Sequence, residues 1–68
     1  MIATYLNRYN DSVYTYYDLQ FSENDENLLR VAGVGFDHEP TYEELSAFAH
    51  TFAENNLPEY TLENIIID

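Results

Sequence analysis

The sequence contains no cysteine and no lysine, and it has only two glycines and two prolines. Without cysteine the chain can form no disulfide and no thiolate-bound zinc site, which fits a reducing compartment. No apolar run approaches the roughly 20 residues that a membrane-spanning helix needs. The opening residues MIATYLNRYN lack the basic region and apolar run of a signal peptide. We therefore expect a cytoplasmic protein that does not contact membranes.

The absence of lysine leaves the charges of the chain strongly unbalanced. Thirteen Asp and Glu residues stand against two Arg, and the formal net charge is −11. Asn, Ile and Tyr are frequent and have AT-rich codons, as lysine does, so base composition does not explain the missing lysines. Because affinity for DNA comes from Lys and Arg that neutralise phosphates, direct binding of nucleic acid is not expected. Anionic lipid surfaces would repel the chain in the same way.

Despite this charge the composition is that of a folded protein. Hydrophobic residues make up 46% and aromatic residues 16% of 68 residues, whereas disordered chains are poor in both. The length predicts a single domain over residues 1–68. Net charge of this size opposes any compact state, which suggests that the negative field has a use. Seven tyrosines exceed what one small core needs, and they favour a homodimer whose interface buries some of them.

The segment Thr41–Asn55 has the clearest local pattern. Thr41 and Glu44 form an S/T-x-x-E capping box, which is typical of a helix start. The Asn-Asn pair at 55–56 and Pro58 supply the end of the helix. Large apolar residues and an alanine recur at three- and four-residue spacing and predict a buried stripe, which consists of Tyr42, Leu45, Phe48, Ala49 and Phe52.

The first part of the chain predicts strands. Ile2–Tyr9 and Val13–Phe21 alternate in polarity, and the short Asn-Asp-Ser link between them predicts an antiparallel hairpin. Ser22–Asn27 is polar and acidic and predicts a loop. Leu28–Phe36 predicts a third strand, in which the two glycines would mark a bulge or a close approach of another backbone. The alternative is a short helix that begins at Ser22 and ends before Gly33.

After the helix, Glu59–Ile67 predicts a last strand. Its three consecutive isoleucines suggest burial on both faces or an edge that a partner covers. The resulting fold class is α+β with the order β-β-β-α-β, an antiparallel sheet with one helix packed on one face.

Few residues suggest chemistry. His38 stands between Asp37 and Glu39, which would suit a metal site or an acid–base pair, but adjacent side chains rarely point at one centre. A solvated acidic turn is the simpler interpretation. The patterns HExxH, CxxC and the EF-hand loop are absent, and no spacing predicts a nucleophile with its base. We expect no enzyme activity, no metal and no cofactor.

The carboxylates form the candidate binding site. A folded surface with many carboxylates and almost no cations can imitate a phosphate backbone. Two clusters stand out, Glu23-Asp25-Glu26 and Asp37-Glu39-Glu43-Glu44. We expect the carboxylates that bind the partner to be among Asp11, Asp18, Glu23, Asp25, Glu26, Asp37, Glu39, Glu43, Glu44 and Glu54.

In length, acidity, lack of lysine and aromatic content, the whole chain resembles the small phage-encoded DNA mimics. These proteins occupy the DNA-binding surfaces of host proteins, such as restriction enzymes, CRISPR effectors and uracil-DNA glycosylase. The chain is most similar in character to the phage host-takeover inhibitor of the bacterial nucleoid protein HU. The resemblance rests on no motif. It implies a basic DNA-binding host protein as partner, with HU first and the other targets as alternatives.

Two other classes share part of this composition. Proteins of halophiles are also acidic and poor in lysine, although abundant Asn, Ile and Tyr are not typical of them. An acidic adaptor could bind a basic partner without imitating DNA. Charge reversal of carboxylate pairs separates the adaptor from the mimic, because only the mimic should lose its contact.

Overall fold

The computed structural model describes residues 1–24 and 27–68. In these ranges the chain forms four strands and one helix. In chain order they are β1 (Ile2–Asn10), β2 (Thr15–Ser22), β3 (Leu28–Phe36), α1 (Tyr42–Asn56) and β4 (Asn64–Ile67). The strands make one sheet in the order β3-β2-β1-β4, and the helix covers one face of it. The predicted α+β fold and its β-β-β-α-β order are confirmed.

The first three strands form an antiparallel meander. Tyr5 pairs with Leu19, and Leu19 pairs with Ala32, so alternate residues of all three strands share a face. The β1–β2 register shifts between Asn7 and Tyr9, which leaves Arg8 as an extra residue in β1. The predicted hairpin is therefore present, and β2 begins two residues later than expected because Val13 belongs to the turn.

The segment Leu28–Phe36 is a strand along its whole predicted length, and this overturns the alternative helix. The glycines do not mark the irregularity of this strand, since the β2–β3 register shifts between Phe21 and Ser22 instead. A Cβ at Gly33 would collide with the hydroxyl of Tyr16, and one at Gly35 with the ring of Tyr14. Both glycines thus make room for tyrosine side chains rather than for another backbone.

The helix begins as its capping box predicts. The Thr41 hydroxyl accepts a hydrogen bond from the Glu44 amide, and the Glu44 carboxylate accepts one from the Thr41 amide. The buried line, however, is Leu45, Ala49 and Ala53. The two alanines let the helix lie close to the sheet, where the Tyr5 hydroxyl donates to the Leu45 carbonyl at 2.7 Å.

The predicted apolar stripe is correct only in part. Tyr42 is 56% exposed, and Phe48 lies at the margin of the core. Phe48 and Phe52 lie one turn apart on one side of the buried line: Phe48 meets Phe36 edge-on, and Phe52 stacks on Phe21. Two large rings therefore close that side of the helix–sheet layer, while the two alanines lie at its centre.

The last strand differs from the prediction in length and direction. It starts at Asn64 rather than at Glu59, and it pairs with β1 in parallel, from Ile2 opposite Asn64 to Tyr5 opposite Ile67. The sheet is consequently mixed, with β4 at an edge. Residues 57–63 form an irregular connection whose Tyr60 and Leu62 pack against the core. Tyr60 and Leu62 alternate with exposed residues, as residues of a strand do, because both side chains turn toward the core.

The core lies between the helix and one face of the sheet. Tyr5, Leu19 and Phe21 are its largest fully buried side chains. Tyr5 meets Tyr17 edge-on, and Tyr17 meets Phe36 in the same way. Burial raises the pKa of the Tyr5 hydroxyl, which stays neutral and donates to the helix. No helix in the described ranges is long and apolar enough to cross a membrane.

Candidate protein-interaction surface

The carboxylates are almost absent from the sheet. Of the eleven carboxylates in the described ranges, the strands contain a single one, Asp18, and the other ten lie in the helix and in the segments outside the strands. All ten are exposed. The fold therefore separates a sheet with one carboxylate from a negatively charged periphery.

Topology gathers one group of carboxylates, which we call the distal acidic end. Thr15 pairs with both Asn10 and Phe36, so the β1–β2 turn and the β3–α1 connection leave the sheet side by side. The first turn of α1 follows directly. The distal acidic end comprises Asp11, Asp37, Glu39, Glu43 and Glu44. This placement joins the predicted Asp37-Glu39-Glu43-Glu44 cluster to Asp11.

An open cleft of about 450 Å³ separates the two segments at this end. Asp11 lines one side, and Asp37, His38 and Glu39 line the other. Thr15 also lines the cleft, and it is largely buried. The cleft is too open to enclose a small substrate, but its carboxylates can receive a cationic side chain.

Asp11 has a structural task in addition to its charge. Its Oδ1 accepts hydrogen bonds from the amides of Val13 and Tyr14, at 2.8 and 2.6 Å. Its Oδ2 accepts one from the Tyr9 hydroxyl. The backbone hydrogen bonds lower the pKa of the Asp11 carboxyl, so it stays ionised. Asp11 therefore fixes the turn of the hairpin and can offer only the remaining acceptor capacity to a partner.

His38 lies between two carboxylates, those of Asp37 and Glu44. Only Asp37 is its neighbour in sequence. Its Nδ1 is 2.9 Å from Asp37 Oδ1, and its Nε2 is 2.5 Å from Glu44 Oε2. These hydrogen bonds raise the pKa of His38 and lower those of Asp37 and Glu44. Glu39 is not a hydrogen-bond partner of His38, so the Asp37-His38-Glu39 site that was set aside in favour of a solvated acidic turn does not form.

The sequence contained a signal for the His38–Glu44 contact. The capping box places Glu44 at the first helical turn, with its carboxylate directed back toward the preceding chain. Its Oε1 binds the Thr41 amide and leaves Oε2 for His38. A histidine a few residues before a capping box is therefore a candidate partner for the Glu of that box.

The remaining predicted site residues are separated from the distal acidic end. Glu23 follows β2 at the opposite end of the sheet, and Asp25 and Glu26 lie outside the described residues. Glu54 lies near the C-terminal end of α1. Because α1 begins at the distal acidic end and leads back to the start of β4, Glu54 lies toward that opposite end. The carboxylates thus occupy both ends of the molecule rather than one patch.

Asp18 is the predicted site residue least suited to a partner. Arg8 donates to it through Nε at 2.7 Å, and the Asp18 side chain is only a quarter exposed. The other arginine, Arg30, lies over the ring of Phe52. Both arginines therefore have contacts within the molecule, and of the two only Arg8 forms an ion pair with a described carboxylate.

The described titratable side chains do not form a metal-binding cluster. Among residues 1–24 and 27–68, no group of three or more His, Asp or Glu side chains is arranged to hold a metal ion. His38 instead forms hydrogen bonds with Asp37 and Glu44.

Comparison with protein-family models, with curated proteins and with solved structures found no match.

Proposed function

We propose that this protein is a non-enzymatic inhibitor that binds the basic DNA-contacting surface of a bacterial protein and excludes DNA by competition. The observation that carries this proposal is the distribution of charge. Ten of the eleven carboxylates in the described ranges lie outside the strands, and the two arginines contact Asp18 and Phe52. A basic surface would meet the carboxylates of the distal acidic end with no lysine among them.

The density of this charge is close to that of one DNA strand. The molecule is 37 Å long and carries a net charge of −11, which is one negative charge per about 3.4 Å. Phosphates along one strand of B-DNA are also spaced by about 3.4 Å. The average charge per unit length of the molecule thus resembles that of one DNA strand, which supports competition for a phosphate-binding surface.

Binding would begin with electrostatic steering, which raises association rates and weakens with ionic strength. Exclusion of DNA follows because both ligands need the same Lys and Arg side chains. The first target that we propose is the nucleoid protein HU, and the alternatives are a restriction enzyme, a CRISPR effector or uracil-DNA glycosylase. The setting is then the cytoplasm of a phage-infected bacterium.

A pull-down from bacterial lysate, with and without competing duplex DNA, tests the proposal and names the target. We expect a basic protein to be retained and then released as DNA is added. Purified HU provides the direct form of the test, in which the protein displaces labelled DNA and loses affinity steeply as salt rises. Retention that neither DNA nor salt affects would contradict mimicry.

Charge reversal at one end distinguishes a defined contact from a general effect of charge. The double variant Glu39→Lys with Glu43→Lys changes the distal acidic end. The matched control, Glu59→Lys with Glu63→Lys, changes the net charge equally in the α1–β4 connection. We expect the first pair to weaken binding more than the second. Equal effects would mean that net charge alone determines affinity.

We further propose a homodimer that forms through the face of the sheet opposite the helix, which we call the open face. Charge does not oppose contact there, because Asp18, the one carboxylate that the four strands contribute to this face, is paired with Arg8. Val31 and Ile66 are about half exposed on it. Light scattering should give twice the 8.0 kDa chain mass. Ile66→Lys should restore the monomer, whereas Thr51→Lys on the exposed side of α1 should not.

The same open face favours a second function, an acidic adaptor that binds its partner through apolar contacts. Tyr9, Tyr14 and Leu28 are exposed, as are Val31 and Ile66. In that case both charge-reversal variants would bind the partner normally, and Val31→Lys would abolish binding.

A further inference from the structure

The contacts of His38 define its charge. Both ring nitrogens face carboxylate oxygens, Nδ1 toward Asp37 and Nε2 toward Glu44. A carboxylate only accepts hydrogen bonds, and a neutral imidazole has a single N–H. The neutral ring would therefore direct a lone pair at one of the two carboxylates. Only the imidazolium satisfies both, so His38 is a cation in this arrangement.

Three neighbouring segments place negative groups near His38, while β3 contributes the neutral ring of Phe36. Asp37 and Glu39 come from the β3–α1 connection, and Glu44 from the helix. Asp11 faces it across the cleft from the β1–β2 turn, and Tyr17 of β2 also lines that cleft. Neither arginine lies among these residues. His38 is thus the single cation that the described part of the chain places at the distal acidic end.

We propose that His38 is an internal counter-ion which a lysine or arginine of the basic partner displaces, so that binding at the distal acidic end releases a proton. This inference rests on the proposed function, because it requires a cationic protein surface as the partner. It selects Asp37 and Glu44 as contact carboxylates from the thirteen in the chain. In the free protein His38 occupies both, and in the complex the partner's cation takes its place.

Half-exposed contacts make this exchange feasible. The His38 side chain is 50% exposed and that of Glu44 42% exposed, while Asp37 is almost fully exposed. Such pairs contribute little in water and are readily replaced by another cation. The capping contact of Glu44 uses its other oxygen, so the helix start remains intact when His38 leaves.

The exchange links affinity to pH in a defined direction. At low pH the partner's cation must displace imidazolium, and the proton is lost as His38 becomes neutral. At high pH His38 is already neutral, and both carboxylates are available. Affinity should therefore rise with pH across the titration of His38, by up to about tenfold per pH unit for one proton released.

Isothermal titration calorimetry with a decalysine peptide as probe tests the proposal. Titrations at low salt, near the midpoint of the His38 titration, are run in two buffers that differ in ionisation enthalpy. The difference in observed heat gives the number of protons exchanged. At that midpoint half of the free molecules carry the His38 proton, so we expect release of up to about half a proton by the wild type. We expect none from His38→Gln, and wild-type behaviour from the control His50→Gln. NMR of the histidine Cε1–H signals locates the midpoint and assigns the proton to His38.

The outcomes separate the two proposals. Binding without proton release, or equal release by His38→Gln, would overturn the role of His38 and leave the proposed function standing. Absence of binding to the peptide by all three proteins would overturn both.

Discussion

The two faces of the sheet differ in what they bury, and neither carries the charge of the protein. The face under the helix holds Tyr5, Leu19 and Phe21 with no exposed surface. The open face has the Arg8–Asp18 pair and half-exposed Val31. Stability therefore comes from one face, while every described carboxylate except Asp18 lies in the helix or in the segments outside the strands. Apart from Asp11 and Glu44, which accept backbone hydrogen bonds, these charges can be altered without removing the contacts that fold the chain.

The largest expected effect comes from the covered face. Leu19→Ala should lower the free energy of unfolding by about 2–5 kcal/mol, because it removes a fully buried side chain and leaves a cavity. Val31→Ala, on the open face of the neighbouring strand, is the control and should cost about 1 kcal/mol or less. Urea denaturation measures both. Similar losses from the two variants would show that the open face is also buried in solution.

A smaller effect distinguishes two tyrosines on opposite faces of the sheet. Tyr5→Phe removes the buried hydrogen bond to the Leu45 carbonyl and should cost about 1 kcal/mol. Tyr16→Phe should change stability very little, because its hydroxyl bonds to no residue that the structure describes. Urea denaturation of both variants gives the comparison. A neutral Tyr5→Phe variant would mean that packing alone holds the helix on the sheet.

The ion pair of the open face should contribute less still. Arg8→Gln breaks the contact with Asp18 and should cost under about 1 kcal/mol, since the Arg8 side chain is 56% exposed. Salt should reduce this difference between variant and wild type, and denaturation at low and high ionic strength measures it. A larger loss that salt leaves unchanged would indicate that the pair is buried in an interface.

The smallest expected effect on stability belongs to His38 and depends on pH. Because Asp37 and Glu44 raise its pKa above the ordinary 6.5, its contacts stabilise the fold below that value and lose this effect as pH rises through the folded-state pKa. The lowered pKa values of Asp37 and Glu44 set the acid limit, where protonation of the carboxylates removes the same contacts.

Thermal melts between pH 5 and pH 9 follow this effect as the difference between the wild type and His38→Gln. The difference in melting temperature should be present at about pH 5 to 6.5 and should vanish at high pH. His50→Gln should follow the wild type at every pH. A difference that does not depend on pH would show that His38 contributes through packing rather than through its charge.

The meander and the helix start could be predicted because their signals are local. Alternation in β2 and the capping box at Thr41 each depend on residues that are close in sequence. The direction of β4 was also derivable. A helix that returns along the sheet after β3 must be followed by a strand parallel to β3, and β1 runs the same way. The buried line of the helix could not be predicted, because the burial of Ala53 and the exposure of Tyr42 depend on where the helix lies on the sheet.

The candidate site was predictable only as a composition. Counting carboxylates identified the unusual property, but it could not show that Arg8 occupies Asp18 or that Asp11 joins Asp37 at one end. Those relations depend on the register between strands, which places distant segments side by side. The sequence shows His38 beside Asp37 and Glu39, whereas its second hydrogen-bond partner, Glu44, is six residues away at the start of the helix.

The parallel pairing of β1 with β4 has a consequence for the order in which the protein folds and opens. Ile2 pairs with Asn64, whereas each pairing within the meander joins strands that follow one another in the chain. Closing so long a loop costs more entropy than closing a hairpin, so β4 should join the sheet last. Its short edge pairing should also open first, and the amides of residues 65–67 should exchange with solvent faster than those of β2.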